Sequence, residues 1–334
     1  MTTAIALLSG GLDSQLAVKV IQEQGIEVIG VNFKSPFFGA APPVYRAAEQ
    51  LEIPLQILDL NDVYMDVLKN PRYGYGKNLN PCIDCHGLML QRAGQYMEEI
   101  KADFLITGEV LKQRPKSQHR DALRIVEKLS GYPGLILRPL SAKLLPLTIP
   151  EEKGLVDRAR LLDISGRSRK PQIELAKKYG LRDYPSPGGG CLLTVPSFAN
   201  RLRRLLTIKS VPTSSDLELL KVGRHFYFDQ FPGWLIIGRK SEENEQVKEL
   251  AQAGDILLKV VSHPGPTTLV RPLNPVEPIP HPVLETAAGL TARYSDAQNL
   301  KQVEVKCWPV GTGEEQVLVV SPLQPNEITG IEQV

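Results

Sequence analysis

Residues 4–14 read Ala-Ile-Ala-Leu-Leu-Ser-Gly-Gly-Leu-Asp-Ser, and their order decides the fold. A short apolar run stops at Ser9, Gly10 and Gly11, and residues 12–24 then set Leu12, Leu16, Val20 and Ile21 at helical spacing. This predicts a strand, a glycine turn and a helix. Gly25 stands where a helix C-cap is expected, and a second apolar run fills residues 27–33. A βαβ unit is therefore expected at the start of the chain.

Working outward, residues 44–51 read as a helix after Pro42 and Pro43, and residues 55–60 and 103–107 read as strands, the latter stopping at Gly108. Residues 70–80, rich in Tyr, Gly and Asn, read as a loop that delivers Cys82 and Cys85, with a helix following over about 88–101. A strand is expected at 135–138 and helices at 150–162 and 170–179. The cluster Tyr-Pro-Ser-Pro-Gly-Gly-Gly at 184–190 breaks the pattern just before Cys191. Strands alternating with helices predict an α/β fold, a doubly wound parallel sheet.

The expected division is 1–198 for this domain and 199–334 for a second, smaller α+β domain. In the second, a helix carrying Arg201, Arg203 and Arg204 leads to a hairpin around residues 229–233, a polar helix at 242–252 and a strand at 255–262. The turn His263-Pro-Gly-Pro, a Pro-rich passage to Pro282, an Ala-rich helix and a strand at 302–308 complete it. No internal repeat is visible.

Hydrophobic residues make up 42% of the 334 and charged residues 23%, proportions that exclude a disordered or fibrous chain. No apolar run approaches the roughly 20 residues of a membrane helix, and no basic segment with a long apolar core opens the chain, so a cytoplasmic protein without membrane contact is expected. Lys and Arg total 39 against 37 Asp and Glu, a net charge of +2, so any RNA footprint must be a local patch. Four cysteines, Cys82, Cys85, Cys191 and Cys307, are too few for a disulfide scaffold in a chain of this size.

Two glycines, two hydroxyls and a helix N-terminus converge in Ser9–Ser14, which makes an anion cradle suited to pyrophosphate. The lysine of a Walker-type loop and the spacing of a Rossmann fingerprint are both missing. A plain glycine turn capped by Asp13 is the simpler reading of Ser-Gly-Gly alone; the full six-residue pattern after a first strand favours the cradle. The Cys-x-x-Cys of Cys82 and Cys85 reads as a zinc half-site, a redox pair or a cluster half-site. Cys191, in a Pro- and Gly-rich loop, supplies a third thiol able to approach them. Cys307, beside Trp308 in a strand, reads as a buried structural thiol.

The six-residue pattern resembles the PP-loop ATP-pyrophosphatase superfamily, with its adenine-nucleotide alpha-hydrolase-like fold. Further along, Asn80-Pro-Cys-Ile-Asp-Cys85, Thr107-Gly-Glu-Val110 with Gln113-Arg-Pro115, Ser117 and Gln118, Arg138-Pro-Leu-Ser141, and Gly189-Gly-Cys191 resemble the branch that thiolates tRNA, related to 4-thiouridine and 2-thiouridine synthetases. This resemblance covers about the first 195 residues. It implies that Ser9, Gly10, Gly11, Asp13 and Ser14 bind the phosphates of ATP, with Asp13 near Mg²⁺. Val31, Asn32 and Phe33 would lie against adenine, and Gly108 and Glu109 end a strand on the same edge. Lys34, Arg114 and Lys143 are candidates for neutralising phosphate charge, against the plainer reading of solvated cations. In that branch three cysteines hold a 4Fe-4S cluster whose unligated iron carries sulfide, a role that falls here on Cys82, Cys85 and Cys191. A persulfide–disulfide mechanism on the same cysteines, zinc, or inert thiols are the alternatives.

The implied reaction joins these parts. Oxide is too poor a leaving group for a uridine carbonyl to exchange oxygen for sulfur unaided; adenylation with pyrophosphate release turns that oxygen into part of AMP, which a sulfur nucleophile then displaces. The implied partners are tRNA and a sulfur donor, sulfide or a sulfur-carrying protein, with a homodimer as one candidate assembly. Two other functions fit parts of the pattern: a small-molecule ligase or amidotransferase with structural zinc, and a non-enzymatic RNA-binding protein.

Known 4-thiouridine synthetases carry an RNA-binding region before the PP-loop, whereas here the first strand opens the sequence, so the RNA grip is expected in the C-terminal half. Residues 222–271 resemble the RNA-associated module of NFACT-type proteins. Arg224, His225, Phe226, Trp234, Arg239 and Lys240 are its candidate RNA contacts, with His263, although the aromatics also read as hairpin core.

Overall fold

In the computed structural model, which describes residues 1–39, 41–186, 190–324, 327 and 330–334, the apolar runs of the first half become five parallel strands. Two compact units divide the chain, Met1–Thr194 and Val195–Val334. The first contains β1 (Thr3–Leu7), α1 (Leu12–Gln22), β2 (Glu27–Lys34), α2 (Pro42–Leu51), β3 (Leu55–Asp59), α3 (Asn61–Lys69), α4 (Cys82–Glu99), β4 (Phe104–Thr107), α5 (Arg120–Ser130), β5 (Ile136–Leu137), α6 (Ile149–Glu152) and α7 (Lys170–Lys178). Sheet order is β3-β2-β1-β4-β5, so the order reverses between β1 and β4. In open sheets of this kind a ligand sits at that switch point, beyond the strand ends.

Alternation along β1 explains the layers. Ala4 and Ala6 belong to the core that α1, α2 and α7 cover, and Ile5, also fully buried, points to the opposite face. There α3, α4 and α5 pack on one another, and α4 rests on β1 and β4. Both faces are thereby closed, as near-continuous apolar strands require.

Three expectations are corrected in this unit. Helix α4 starts at Cys82 rather than near residue 88, with Pro81 at its N-cap position, so Cys82 and Cys85 lie in a helical first turn and not in the loop. The helix expected over 150–162 is only the four residues of α6: a capping box from Thr148 and Glu151 starts it, Gly154 at φ +68° ends it, and a 3₁₀ turn at Arg158–Arg160 follows. Helices α3 and α5 were not anticipated. Of the 184–190 breaker cluster, Pro187, Gly188 and Gly189 lie outside the described residues.

The second unit holds α8 (Pro196–Ile208), α9 (Ser214–Leu219), β6 (Arg224–Phe228), β7 (Gly233–Ile237), α10 (Ser241–Glu249), β8 (Ile256–Val260), β9 (Thr268–Pro272), α11 (His281–Arg293), β10 (Val303–Pro309), β11 (Gln316–Val320) and β12 (Ile331–Gln333). Its sheet order is β11-β10-β8-β9-β7-β6-β12, and every pairing is antiparallel. The expected hairpin is β6–β7, whereas β9 lies inside the stretch read as a Pro-rich passage. Strands β11 and β12 were also unanticipated. Helix α11 packs on one face over a core that includes Leu258, Val305 and Cys307.

Candidate nucleotide and thiol site

Strand β1 delivers Ser9, Gly10 and Gly11 to the switch point, and the turn is organised by its own hydroxyls. Ser14 Oγ donates to the Gly11 carbonyl at 2.8 Å and accepts from Ser9 N at 3.3 Å, and the Ser9 and Ser14 hydroxyls stand 3.2 Å apart. Gly10 adopts φ +77°, and a Cβ there would lie 2.9 Å from the Pro43 backbone; a left-handed residue against another chain segment has to be glycine. Gly11, the N-cap of α1, provides no side-chain cap. The first-turn N–H groups of α1 therefore receive no side-chain cap from Gly11, and the helix dipole favours an anion at this end.

Gly108, at the end of β4, closes the cradle from the other side. A Cβ on it would fall 2.4 Å from Ser14 N and 2.5 Å from the Asp13 carbonyl carbon. Asp13 Oδ2 accepts from Gln113 Nε2 at 2.7 Å, and Gln113 Oε1 in turn accepts from Gln172 Nε2 at 2.8 Å. Asp13 Oδ1 is buried with no hydrogen-bond partner among the described residues. A carboxylate oxygen of that kind, in the first turn of α1, suits a hard cation. Asn32 fixes the neighbouring strand end by donating to the Leu8 carbonyl at 2.8 Å, while Val31 and Phe33 are buried on either side of it.

The next residue, Glu109, ties the cradle to the cysteines. Its Oε2 accepts from Arg138 Nε at 3.0 Å and from Thr107 Oγ1 at 3.2 Å, and its Oε1 stands 3.2 Å from His86 Nδ1. Burial alone would raise its carboxyl, but the Arg138 charge and the His86 bond overcome that and hold it down at about 2. Arg138 is itself buried and also reaches Glu127. His86 is the neighbour of Cys85 in the first turn of α4. The thiol-bearing turn is therefore linked, through His86 and Glu109, to the strand end that packs on Asp13 and Ser14.

Cys85 is buried against the Tyr64 hydroxyl of α3. Burial pushes its thiol up to about 12; the Tyr64 hydrogen bond works the other way, and Cys191, Cys82 and Asp84 add to the rise. The Cys191 thiol is likewise pushed to about 11, first by burial and further by Cys82. Tyr64 is raised by burial and by Cys85, Cys191 and Cys82. All three thiols are thus within electrostatic reach of one tyrosine and of each other. Backbone seams hold them: Leu192 N donates to the Phe37 carbonyl at 3.0 Å, Leu79 N to Leu193 O at 3.3 Å, and Asn78 Nδ2 to Thr194 O at 2.7 Å. Asn80 Nδ2 donates to Cys82 Sγ at 3.0 Å. Among the described residues no three His, Cys, Asp or Glu side chains gather closely enough to hold one ion.

This arrangement brings together Ser9, Gly10, Gly11, Asp13, Ser14, Asn32 and Gly108, and separately Cys82, Cys85 and Cys191. Lys34 is exposed at the end of β2, and Arg114 is exposed beyond β4. Lys143 is turned to the Ala159 carbonyl at 2.8 Å. Two residues that sequence reasoning did not single out, Tyr64 and His86, join the site, and two that it quoted only within motifs gain partners there: Gln113 with Asp13 and Arg138 with Glu109. His86 stands directly after Cys-x-x-Cys, a local signal that could have found it.

The Thiamine biosynthesis protein (ThiI) family model matches residues 1–143, and the NFACT protein RNA binding domain model matches residues 223–330. The first unit is therefore similar to the ThiI family over residues 1–143 and the second to the NFACT RNA-binding module over residues 223–330. The tRNA-specific 2-thiouridylase MnmA of Trichlorobacter lovleyi is 32% identical over 127 residues, 34% of this chain and 35% of that protein. That of Pelobacter propionicus is 29% identical over 190 residues, 52% of each. The chain thus spans between about a third and a half of the length of these relatives. A solved 4-thiouridine synthetase–RNA complex with bound ATP aligns at TM-score 0.39 and 22% identity, covering 66% of this chain and 52% of that one.

Within the NFACT-like module several expected RNA contacts are corrected. His225, Phe226 and Trp234 are fully buried, so they are hairpin core and not a surface. His225 Nε2 bonds the Val222 carbonyl at 2.8 Å, and burial, with the Arg201 charge, depresses its imidazole to about 3. Arg239 is committed to Glu243, Arg201 to the Leu220 and Gly223 carbonyls, and Arg204 to Glu332. Lys240 is exposed and His263 half-buried. Cys307 is fully buried, and burial raises its thiol to about 12.

Proposed function

We propose that the chain is an ATP-dependent RNA thiolase acting on a tRNA uridine. The observation that carries this reading is the linkage of Asp13 and Ser14, through Gly108, Glu109 and His86, to a trio of thiols. In the first step the uridine carbonyl oxygen attacks the α-phosphorus of ATP; a P–O bond forms, the bond to the β-phosphate oxygen breaks, and pyrophosphate leaves into the cradle. In the second a hydrosulfide-class nucleophile attacks the activated carbon, the C–O bond breaks and AMP departs, leaving C=S. No electrons are gained or lost overall.

The chain's own residues divide this work. Ser9, Gly10, Gly11 and Ser14 offer N–H and O–H donors where charge develops on the departing pyrophosphate. Asp13, through an Oδ1 that no described residue bonds, would hold Mg²⁺. Three thiols within electrostatic reach of one another suit iron–sulfur ligation, and Cys82, Cys85 and Cys191 would hold a 4Fe-4S cluster, which when bound supplies an iron site for sulfide. Glu109, fixed by Arg138, positions the cysteine-bearing turn. The RNA-binding family match over residues 223–330 supports RNA as the substrate class.

Nucleoside mass spectrometry of unmodified tRNA incubated with the protein, ATP and sulfide tests the reading. Thiouridine is expected with wild type, and Cys82→Ala, Cys85→Ala and Cys191→Ala each abolish it while AMP formation continues. Full thiolation by any of the three removes that cysteine from the mechanism.

A further inference from the structure

The second sheet has β11 and β12 as its edges. An edge strand leaves a row of N–H and C=O groups unpaired, and chains ordinarily guard it by keeping it short or by placing charge, proline or a bulge on it. Strand β12 is guarded: it is three residues long and carries Glu332, which Arg204 holds at 2.9 Å. Strand β11, Gln316-Val-Leu-Val-Val320, has none of these devices. It pairs with β10 residue for residue along its whole length, and Glu315 and Pro322 stand only beyond its two ends. Among the described residues no strand lies against its outer side.

The two faces of β11 differ. Leu318 and Val320 pack against the core that α11 covers, whereas Val317 and Val319 belong to the opposite face and are 55% and 59% exposed. On that face Val317 lies opposite Lys306 of β10 and Val319 opposite Glu304, with Lys259 of β8 beyond Lys306. The charges here cancel, Lys259 and Lys306 against Glu304 and Glu315, and Glu315 pairs with Lys306 at 2.5 Å. An unguarded apolar strand beside balanced charges suits a copy of itself, because two such edges meet without net repulsion.

We propose that β11 pairs antiparallel with β11 of a second copy of this chain about a two-fold axis, joining the two sheets edge to edge. Centred on Leu318, the axis sets Gln316 against Val320, Val317 against Val319 and Leu318 against itself, so that all five residues pair. Each row across the junction then runs Lys306, Val317, Val319 of the second copy and Glu304 of the second copy, with opposite charges at its ends. Moving the centre to Val317 would put Lys306 at both ends of one row, and moving it to Val319 would do the same with Glu304; either shift also leaves part of the strand without a strand partner. The pattern of β11 and β10 thus selects the register. A contact one strand wide stays below the roughly 1,000 Å² of a permanent interface, so the pairing depends on concentration.

Sedimentation equilibrium of the full chain over the micromolar range tests the pairing, and a reversible monomer–dimer equilibrium is expected. Burying a valine contributes about tenfold to association, and the two-fold axis removes each valine at two places. Val317→Lys and Val319→Lys, at exposed positions that leave the core untouched, therefore each raise Kd by about 100-fold while far-UV circular dichroism stays that of wild type. Cross-linking reads the register: Val317→Cys mixed with Val319→Cys gives a disulfide-linked dimer on mild oxidation. Either variant alone, with its introduced thiols on a diagonal about 7–8 Å long, gives no more than the wild-type chain with its four cysteines. A wild-type chain that stays monomeric throughout, or a dimer that both lysine variants leave intact, overturns the proposal. So does cross-linking by Val317→Cys alone as strong as that of the mixture.

Discussion

Replacing Gly108 by alanine adds one methyl group where β4 meets α1. The added Cβ would stand 2.4 Å from Ser14 N, 2.5 Å from the Asp13 carbonyl carbon and 2.6 Å from Ser14 Cα, all of them backbone, whereas ordinary contact begins near 3.4 Å. No flexible side chain can yield, so the α1 N-terminus and the strand end must separate by about 1 Å. A misplacement of that size in an oriented active site costs about 100-fold in rate. We expect Gly108→Ala to lower ATP-dependent AMP formation with unmodified tRNA by about that factor while far-UV circular dichroism shows a folded protein. AMP formation at the wild-type rate in a folded Gly108→Ala protein would refute the assignment of this junction to nucleotide handling.

Asp13→Ala is expected to abolish AMP formation outright, measured with α-labelled ATP, and undiminished release contradicts its role. For His225, the unfolded imidazole takes a proton below about pH 6.5 while the folded one stays neutral to about 3, so stability is complete above the unfolded value and falls as pH drops through this window. Between pH 8 and 5 the loss is about 2 kcal/mol. Both tryptophans, Trp234 and Trp308, lie in the second unit, so fluorescence-detected urea unfolding follows it; an identical pH dependence in His225→Gln would contradict the argument. Arg138→Met leaves Glu109 buried without its main partner and is expected to destabilise the first unit by about 3–5 kcal/mol, largely restored by adding Glu109→Gln. Equal stability of the single and double variants in thermal unfolding rules this out.

The opening βαβ unit and the cradle were legible because both signals are local: an apolar run, a glycine pair and a helical repeat within about twenty residues. The start of α4 was not, since Pro81 provides no polar cap and the cysteines resemble loop residues in isolation. Helix α3 did carry a pattern, with Tyr64 and Leu68 one turn apart and both buried, but it follows β3 so closely that the two blur together. The role of Glu109 depended on Arg138, 29 residues away, and no local pattern announces such a pair. In the second unit the aromatics of β6 and β7 fitted both a stacking surface and a hairpin core, and their burial decides for the core. Strand β9 was hidden because prolines flank it on both sides and Pro272 ends it, a place at the strand terminus that proline tolerates.

Gly10 and Gly108 are obstructed from different directions, one by the backbone at Pro43 and the other by the start of α1. A descendant that kept the architecture but abandoned the chemistry could accept side chains at these two positions once the cradle was free to spread. Under the function proposed above, any such replacement in a distant homologue would mark loss of nucleotide handling even where all three thiols persist, which makes the pair a two-position criterion for separating working enzymes from relics.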